Sequence, residues 1–456
     1  MSQDDQALVD GRWRERGREA PWSTMDEAIA AASRAFPAWS RTTRAERREL
    51  LMRVASMVET QLDVLAEEMA REIAKPIVWA RAEVTRLAVT FRLAAELLDA
   101  RAREELSLER DARGRDYCCE VERFGVGVVL AIVPYNWPYN LAAHKLAPAL
   151  AAGDTVVLKL SPLAYRSTMA LVRLIQEAGL PPGVLNALGG SPEVSERAVA
   201  DPRIALVSFT GSEAVGFRVR EVAGGRPVIL ELGGDASALV FADADLGFAA
   251  TRIATSAYGY AGQVCISAQH ARVEASALDS FREALIAETR ALPVGDPLDP
   301  KTVCGPMIDE HAAIRALDWI DEAVALGARL LVGGTREGRL VYPTLLEGVP
   351  PLAKLAHEEA FAPVLTLSSF ASAEEAFAAV NASRFGLHAS VFTRDQVLVE
   401  RAFRELEVGG VIWNDHPSMR FDVMPYGGVK RSGMGREGLR YAYEAMSTPK
   451  VLLGRR

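Results

Sequence analysis

The sequence predicts an α/β protein with a doubly wound first domain and a second α/β domain. Short, continuous apolar runs recur after residue 125, and the pattern of strands and helices starts again after Gly234. The tens of residues between runs leave room for a crossover helix each time, which is typical of βαβ units. With 456 residues, the chain also exceeds the size of a single core, which favours two or three domains.

Consecutive amphipathic helices are expected in the first hundred residues. Thr24 with Glu27, and Thr43 with Glu46, have the spacing of a capping box just before apolar residues of helical periodicity. We therefore expect one helix to begin at each pair.

A central parallel sheet is expected next. Strands that are apolar on both faces have no side for solvent, and such strands occur in sheets covered by helices on both faces. The runs are VGVVLAIV (126–133), TVVLKL (155–160), ALVSF (205–209), PVILEL (227–232) and SALVF (237–241).

The remainder of the chain predicts the second domain. Helical patterns such as ALDSFREALIAETRAL (277–292) alternate with further strand-like runs. A glycine-rich loop, GGVKRSGMGREG (427–438), and a strand-like tail, KVLLGRR (450–456), complete it.

Composition excludes several functional classes. The net charge of −8 argues against nucleic acid or an anionic membrane as partner and leaves small neutral or anionic molecules open. No apolar run approaches the ~20 residues of a membrane span. The acidic start, MSQDDQALVD, does not have the layout of a secretory signal, so a cytoplasmic location is expected. The four cysteines show no CxxC or CxH spacing, which predicts reduced thiols and no metal site.

One cysteine, Cys265, lies in AYGYAGQVCISAQH (257–270), where most neighbours are small. Two interpretations stay open from the residues alone. An isolated free cysteine is usually a small buried hydrophobe. A nucleophile would use the space around it for a substrate but would also need a base and donors for an oxyanion.

Two polar residues after apolar runs are candidates for those parts. Asn136, in PYNWPYN (134–140), could donate to an oxyanion from a backbone restricted by two prolines, or could satisfy turn groups instead. Glu231 is followed by two glycines. In a partly apolar setting its pKa would rise and it could act as a general base, or it could bind backbone N–H groups of the turn.

A phosphate site is suggested by FTGSEAVG (209–216), which follows a strand and opens a predicted helix. Backbone N–H groups at a helix start can hold a pyrophosphate, although a plain strand–helix connection has the same pattern. Lys159 closes the run TVVLK, where its ammonium could reach ribose or phosphate oxygens or remain solvated.

From about residue 25 to its end, the chain resembles the NAD(P)-dependent aldehyde dehydrogenase superfamily. Seven motifs occur in the family's order and spacing. They are PYNWP (134–138), TVVLK (155–159), FTGS (209–212), LELGG (230–234), GQVCIS (262–267), EEAFAPV (358–364) and PYGGVKRSGMGREG (425–438).

This resemblance implies oxidation of an aldehyde with NAD or NADP. Cys265 would be the nucleophile, Asn136 with the Cys265 backbone N–H the oxyanion hole, Glu231 the base, and Lys145 with Glu437 a proton relay. The cofactor-binding positions would be Val133, Tyr135, Lys159, Pro162, Gly211, Ser212, Leu232, Glu359 and Phe361.

Within the superfamily, the chain is most similar to the branch of lactaldehyde, phosphonoacetaldehyde and non-phosphorylating glyceraldehyde-3-phosphate dehydrogenases. That similarity implies a small polar aldehyde, with Arg92 and His144 lining its pocket. The alternatives are a helix-surface arginine and a packed histidine. Val264, beside the nucleophile, is apolar where some anion-specific members have arginine, which argues against a phosphate or phosphonate substrate.

Three departures from the family pattern stand out. Pro162 occupies the position of a glutamate that would repel the NADP 2′-phosphate, so NADP becomes possible, helped by Arg166. Asp235 follows the two glycines where lysine or asparagine is commoner. The start of the chain, GRWRERGREAPWS (11–23), is short and is expected to lack the usual hairpin-like lead-in.

The family's organisation implies three parts and a homodimer or homotetramer. Residues 1–106 and 126–233 would form the Rossmann-like NAD(P)-binding domain, 234–438 the catalytic domain, and 107–125 with 439–456 a small β oligomerisation arm.

Three other functions stay open. A CoA-acylating semialdehyde dehydrogenase would resolve the thioester with a thiol, but such relatives typically lack the base that Glu231 would supply. A non-catalytic protein could keep the fold. A cysteine hydrolase could use His270 as its base, although no orienting acid is evident in the sequence.

Overall fold

A computed structural model describes residues 5–99 and 102–455. The first four residues of the acidic start and the last residue of the tail therefore lie outside the described residues. The helices are α1 Trp22–Trp39, α2 Arg44–Thr60, α3 Leu62–Ile73, α4 Ile77–Glu96, α5 Pro138–Ala152, α6 Tyr165–Glu177, α7 Pro192–Ala200, α8 Glu213–Ala223, α9 Leu246–Tyr258, α10 Leu278–Ala291, α11 Glu310–Ala325, α12 Ala373–Asn381, α13 Gln396–Glu405 and α14 Leu439–Ala445.

The strands form three main sheets and one short pair. They are β1 Gln6–Val9, β2 Arg12–Glu15, β3 Arg103–Leu106, β4 Tyr117–Gly125, β5 Val128–Ile132, β6 Thr155–Lys159, β7 Leu185–Leu188, β8 Ile204–Thr210, β9 Val228–Glu231, β10 Ser237–Val240, β11 His270–Glu274, β12 Arg329–Val332, β13 Arg336–Glu337, β14 Leu340–Val341, β15 Thr344–Glu347, β16 Val364–Phe370, β17 His388–Phe392, β18 Gly410–Trp413, β19 Gly433–Met434 and β20 Ser447–Arg455.

The first sheet confirms the doubly wound prediction. Its order is β19-β9-β8-β5-β6-β7-β1-β2, and the five strands from β9 to β7 are parallel. Among these five strands, the chain passes from β5 to β6 and β7 on one side and then to β8 and β9 on the other, so the strand order reverses between β5 and β8. Alternate residues of β5 belong to different cores: Val129 packs with α5, while Leu130 packs with α1. Both faces are therefore buried, as continuous apolar runs require.

The amino-terminal expectations are partly wrong. A hairpin does precede the first helix: β1 pairs antiparallel with β2 and joins the sheet through Leu8 and Ala187. The helix α1 begins at Trp22, after Pro21 and without a side-chain cap, so Thr24 is already helical. The second capping box is confirmed, because Thr43 accepts from the Glu46 N–H and the Glu46 carboxylate accepts from the Thr43 N–H.

The second sheet has the order β12-β15-β16-β11-β10-β17-β18 and is parallel except for β12. Among the described residues, α9 and α10 pack on one of its faces in a core that includes Tyr258 and Phe281. This sheet and its helices form the predicted second α/β unit.

The third sheet consists of β20, β4 and β3, all antiparallel. Its long outer strand β20 exposes Val451, Leu452 and Leu453. Because β3 pairs here, residues 103–106 belong with this sheet and not with the first sheet, to which the sequence assigned them. Conversely, β19 lies in the predicted catalytic segment but pairs with β9 of the first sheet. Within the described part of the chain, no helix is long and apolar enough to cross a membrane.

Candidate active site

A cavity of about 610 Å³ lies between the first two sheets. From the first sheet it takes residues at or just after the carboxyl ends of β5, β8 and β9: Asn136, Gly211 and Glu231. From the second sheet it takes residues of loops that precede β11 and β16: Cys265 and Glu359. Ligands of open α/β sheets bind at carboxyl ends of strands where the strand order reverses, and β5 and β8 flank that point here.

A tight turn places Cys265 on the cavity wall. Tyr260, Ala261 and Gly262 all have left-handed backbone conformations, with φ of 52°, 54° and 65°. A Cβ at Gly262 would collide with the carbonyl oxygen of Ala362, so the close packing of this turn requires small residues. The small neighbours of Cys265 thus serve the backbone as well as leaving room for a substrate.

The sulfur of Cys265 faces a tyrosine hydroxyl. Sγ lies 2.9 Å from Oη of Tyr426, and both residues line the cavity. Removal from water raises the pKa of the Cys265 thiol to about 12, partly offset by the contact with Tyr426. The free thiol is therefore neutral near pH 7.

Asn136 is 4% exposed and is held at both ends. Its Nδ2 donates to the backbone oxygen of Gln263 at 2.9 Å, in the segment just before the cysteine. The backbone carbonyl oxygen of Asn136 accepts from Nζ of Lys75 at 2.8 Å. An amide nitrogen has two hydrogens, so one remains for a ligand in the cavity.

Lys75 and Glu83 form a buried ion pair behind Asn136. Nζ of Lys75 donates to Glu83 at 2.5 Å, and both side chains are fully buried. The other carboxylate oxygen of Glu83 accepts the N–H groups of Tyr139 and Asn140 at the start of α5. The pair thus ties α4 to the loop that carries Asn136. The ammonium also lies 3.4 Å from the ring centroid of Trp137.

Glu231 lines the cavity, and both of its carboxylate oxygens are buried without a hydrogen-bond partner among the described residues. Burial, and then the nearby Glu437 carboxylate, raise the pKa of Glu231 well above its ordinary value. Glu437 accepts from Lys145 at 2.8 Å and lies 3.4 Å from Arg420. Although burial alone would raise it, these two cations lower the pKa of Glu437 to about 2.

Comparison with known proteins shows the family of this chain. Residues 15–452 match the sequence profile of the aldehyde dehydrogenase family. This chain belongs to the aldehyde dehydrogenase family. It is an oxidoreductase that acts on the aldehyde group.

Individual relatives of this aldehyde dehydrogenase are similar over almost their whole length. The 3-sulfolactaldehyde dehydrogenase of Priestia megaterium is 39% identical over 94% of this chain and 91% of its own. Aldehyde dehydrogenase 21 from Physcomitrella patens, solved with the reaction product succinate, has a TM-score of 0.94 at 36% identity and covers 100% of this chain and 96% of its own. The glyceraldehyde-3-phosphate dehydrogenase GapN from Methanocaldococcus jannaschii, complexed with NADP, has a TM-score of 0.93 at 35% identity and covers 100% of this chain and 99% of its own.

The structure brings most of the positions expected to bind a cofactor together. Those that line the cavity are Tyr135, Gly211, Ser212, Leu232, Glu359 and Phe361. Burial raises the pKa of Glu359 to about 7, and one of its oxygens accepts the Gly234 N–H at 3.2 Å. The rings of Phe361 and Tyr135 meet edge to face at 6.3 Å.

Three expected cofactor positions lie outside the cavity wall. Val133, just after β5, donates its backbone N–H to the carbonyl of Lys159, the last residue of the neighbouring strand β6, at 3.2 Å. Burial lowers the pKa of Lys159, whose ammonium has no hydrogen-bond partner among the described residues. Pro162 offers only its carbonyl oxygen, which accepts from Arg18 at 3.0 Å. Arg166, which was expected to help bind the NADP 2′-phosphate, has its Nε 3.8 Å from a carboxylate oxygen of Glu72.

The two expected substrate residues are wrong as pocket residues. Arg92 lies on the outer side of α4 and pairs with Glu59. It is six residues after Arg86, the arginine of α4 that lines the cavity, and this spacing places Arg92 on another side of the helix. His144 is buried under the pocket, where Nε2 lies 2.9 Å from Oδ1 of Asp422. Val264 does line the cavity.

Arg86 and Arg420 line the cavity and were missed from the sequence. Arg86 binds both oxygens of Asp422, at 2.6 and 3.2 Å. Nε of Arg420 is buried and has no partner among the described residues. Arg86 is seven residues after Trp79, another cavity residue, and this helical spacing is a signal that could have found it.

Two further positions from the sequence have structural partners. Nδ1 of His270 lies 2.8 Å from the Thr366 hydroxyl. His270 does not line the cavity with Cys265, so it is not placed to act as the base of a cysteine hydrolase. Asp235 accepts from Ser383 at 2.6 Å, and burial raises its pKa to about 6.

Proposed function

We propose that this chain oxidises a small aldehyde with an anionic or hydroxylated end to its carboxylate, using NAD or NADP. The observation that carries the proposal is the convergence of Cys265, Asn136 and Glu231 on one cavity. The start of α8, at Gly211 and Ser212, lines the same cavity. A nucleophile, an oxyanion donor, a base and a phosphate site thus occur together.

The residues present fit a dinucleotide. Ser212 precedes α8 without a side-chain cap, so the first N–H groups of that helix are available to a pyrophosphate. The Thr210 hydroxyl is buried and has no partner in the described structure. The half-buried Lys159 side chain forms no ion pair with the residues that the structure describes, and its ammonium can serve the same ligand. Pro162 stands in place of a carboxylate, and Arg18 is bound to its carbonyl, so the side chain at this position does not oppose a 2′-phosphate. When bound, the nicotinamide supplies the acceptor for the hydride that leaves the aldehyde carbon.

Cys265 and Asn136 act on the aldehyde itself. The sulfur of Cys265 adds to the carbonyl carbon as thiolate, and the carbonyl oxygen becomes an alkoxide. The free hydrogen of the Asn136 amide and the Cys265 backbone N–H donate to that alkoxide. Removing one such donor typically lowers the rate about 10²–10³-fold. Loss of a hydride from the same carbon leaves a thioester on Cys265.

Glu231 then serves as base for hydrolysis. Its raised pKa suits a group that must take a proton from water, because a weakly basic carboxylate would accept one poorly. Water attacks the thioester carbon, its proton passes to Glu231, and the Cys265 thiolate leaves. The Glu437 carboxylate, which accepts a hydrogen bond from Lys145, raises the pKa of Glu231, and we assign Lys145 and Glu437 to the return of its proton to solvent.

The substrate end is assigned to the arginines of the cavity. Arg420 presents an unpartnered guanidinium nitrogen, and Arg86 is held in position by Asp422. A carboxylate or a sulfonate can accept hydrogen bonds from these arginines. A phosphate would require more positive charge, and Val264 is apolar and supplies none. The relatives named for sulfolactaldehyde and solved with succinate support this class.

The test is a set of initial rates with NAD+ and NADP+ on anionic, hydroxylated, aliphatic and aromatic aldehydes. We expect reduction of at least one cofactor, highest kcat/KM with an anionic or hydroxylated short aldehyde, and no stimulation by coenzyme A. Cys265→Ala should abolish oxidation and retain cofactor binding, measured by fluorescence titration. Residual turnover near that of the parent would overturn the nucleophile assignment.

A further inference from the structure

A tyrosine hydroxyl touches the sulfur of the proposed nucleophile. Oη of Tyr426 lies 2.9 Å from Sγ of Cys265, and this sulfur is the only hydrogen-bond partner of Oη among the described residues. The proton of the Tyr426 hydroxyl can therefore be donated to the sulfur, because no other acceptor among these residues competes for it.

Tyr426 is fixed in place from several sides. It is 3% exposed, and its backbone N–H and C=O both pair with Glu437, at 3.0 and 2.7 Å. The guanidinium of Arg420 lies 3.7 Å from the centre of its ring, and the ring of His388 meets it edge-on at 5.3 Å. A side chain held this firmly loses little freedom when it makes one more bond.

The protonation states decide which atom donates. Burial raises the pKa of the Tyr426 phenol well above its ordinary value, so the hydroxyl keeps its proton through neutral and alkaline pH. The neutral thiol can donate to Oη. Once the sulfur is a thiolate it has no hydrogen, and only Tyr426 can donate. A hydrogen bond to an ion is stronger than one between neutral groups, so the contact favours the thiolate.

We propose that Tyr426 is a catalytic residue whose hydroxyl donates to the Cys265 thiolate and raises its population. This inference rests on the proposed function for its role in turnover, but not for its chemistry, because the thiol can be titrated without an aldehyde.

The experiment measures the rate at which iodoacetamide alkylates Cys265 as a function of pH, with the modified peptide quantified by mass spectrometry. Tyr426→Phe removes one oxygen and no ring volume. Because the pKa of the parent thiol is about 12, the midpoint is obtained by comparing the rate at lower pH with the rate of a free thiolate. We expect this midpoint to move up by about one pH unit or more in Tyr426→Phe, so that the rate near pH 7 falls about tenfold. Tyr258→Phe is the matched control, since Tyr258 is fully buried and its hydroxyl bonds the Thr344 carbonyl away from the cavity.

A midpoint that is unchanged or lower in Tyr426→Phe overturns the proposal, because the hydroxyl would then be neutral toward the thiolate or would favour the thiol. Thermal unfolding and circular dichroism of both variants show whether the fold is kept. The proposed function can fail separately: if no aldehyde is oxidised but the midpoint moves as expected, the role of Tyr426 toward the sulfur stands.

Discussion

Replacing Lys75 by methionine should weaken the oxyanion donor Asn136 without changing Asn136 itself. The Lys75 ammonium binds the Glu83 carboxylate and the backbone oxygen of Asn136, and it is fully buried. Methionine has a similar length and no charge. It therefore removes both bonds but leaves the bonds from Glu83 to the N–H groups at the start of α5, which still tie this segment to α4.

The magnitude follows from burial. Breaking a buried ion pair by removing one partner costs about 3–5 kcal/mol, because the remaining charge is left uncompensated. Adding Glu83→Gln removes that charge and keeps an oxygen for the N–H groups of α5, so most of this cost should be recovered. In the double variant the loop folds, but the carbonyl of Asn136 still lacks its donor.

The catalytic loss has an upper bound. Deleting the Asn136 donor itself should cost about 10²–10³-fold in kcat. A displacement of the amide by a fraction of an ångström to one ångström should cost about 10- to 100-fold. We expect this loss in kcat for the K75M/E83Q variant, with the dissociation constant of the cofactor unchanged.

The assay is a double-mutant cycle with Asn136→Ala. If Lys75 acts through Asn136, K75M/E83Q should change kcat by less than about threefold once the Asn136 amide is gone. An equal loss in both backgrounds would refute the reasoning, since the two effects would then be independent. Lys354→Met is the control, because Lys354 pairs with Glu322 at 3.0 Å on the surface.

Three further outcomes are expected. Glu231→Gln should slow hydrolysis about 10²–10⁴-fold. One equivalent of reduced cofactor should then form before the steady state, and quenched samples should contain acylated Cys265; an unchanged steady-state rate contradicts the base assignment. Arg86→Met should raise KM about tenfold or more for an anionic aldehyde but not for a neutral one of equal length, in paired initial-rate measurements. Val451→Asp with Leu453→Asp, on the exposed strand β20, should lower the mass found by light scattering to that of one chain, and an unchanged mass would remove this strand from the oligomer interface.

The central strands could be predicted because burial on both faces leaves its mark in composition. β5 has five buried residues and no polar one, and the sequence shows it as part of one apolar run. The hairpin β1–β2 could not be found this way. Its outer strand, RWRE, is an edge strand with mostly exposed side chains, and pairing on one side only requires no apolar pattern.

The site residues divide for the same reason. Cys265, Asn136 and Glu231 each follow or precede a strand, so their convergence follows from the sheet topology. Arg86 and Arg92 lie on one helix, and only its packing decides which of them faces the cavity. Lys75 and Glu83 have ordinary surface identities in the sequence. Their burial depends on the loop of Asn136 lying over them, which no local pattern reveals.

The resting chemistry of the cavity follows from two raised pKa values. Burial, with the carboxylates of Glu359 and Glu231, keeps Cys265 as a thiol, and burial with Glu437 favours the protonated form of Glu231. Ionising either group alone adds a negative charge to a site that already disfavours one. In the fraction of molecules in which Glu231 is ionised, transfer of the thiol proton to it moves a charge without adding one, so most of the desolvation cost of the thiolate cancels. We therefore expect Glu231→Gln to slow alkylation of Cys265 near neutral pH as well as hydrolysis. An alkylation profile identical to that of the parent would mean that the sulfur loses its proton by another path.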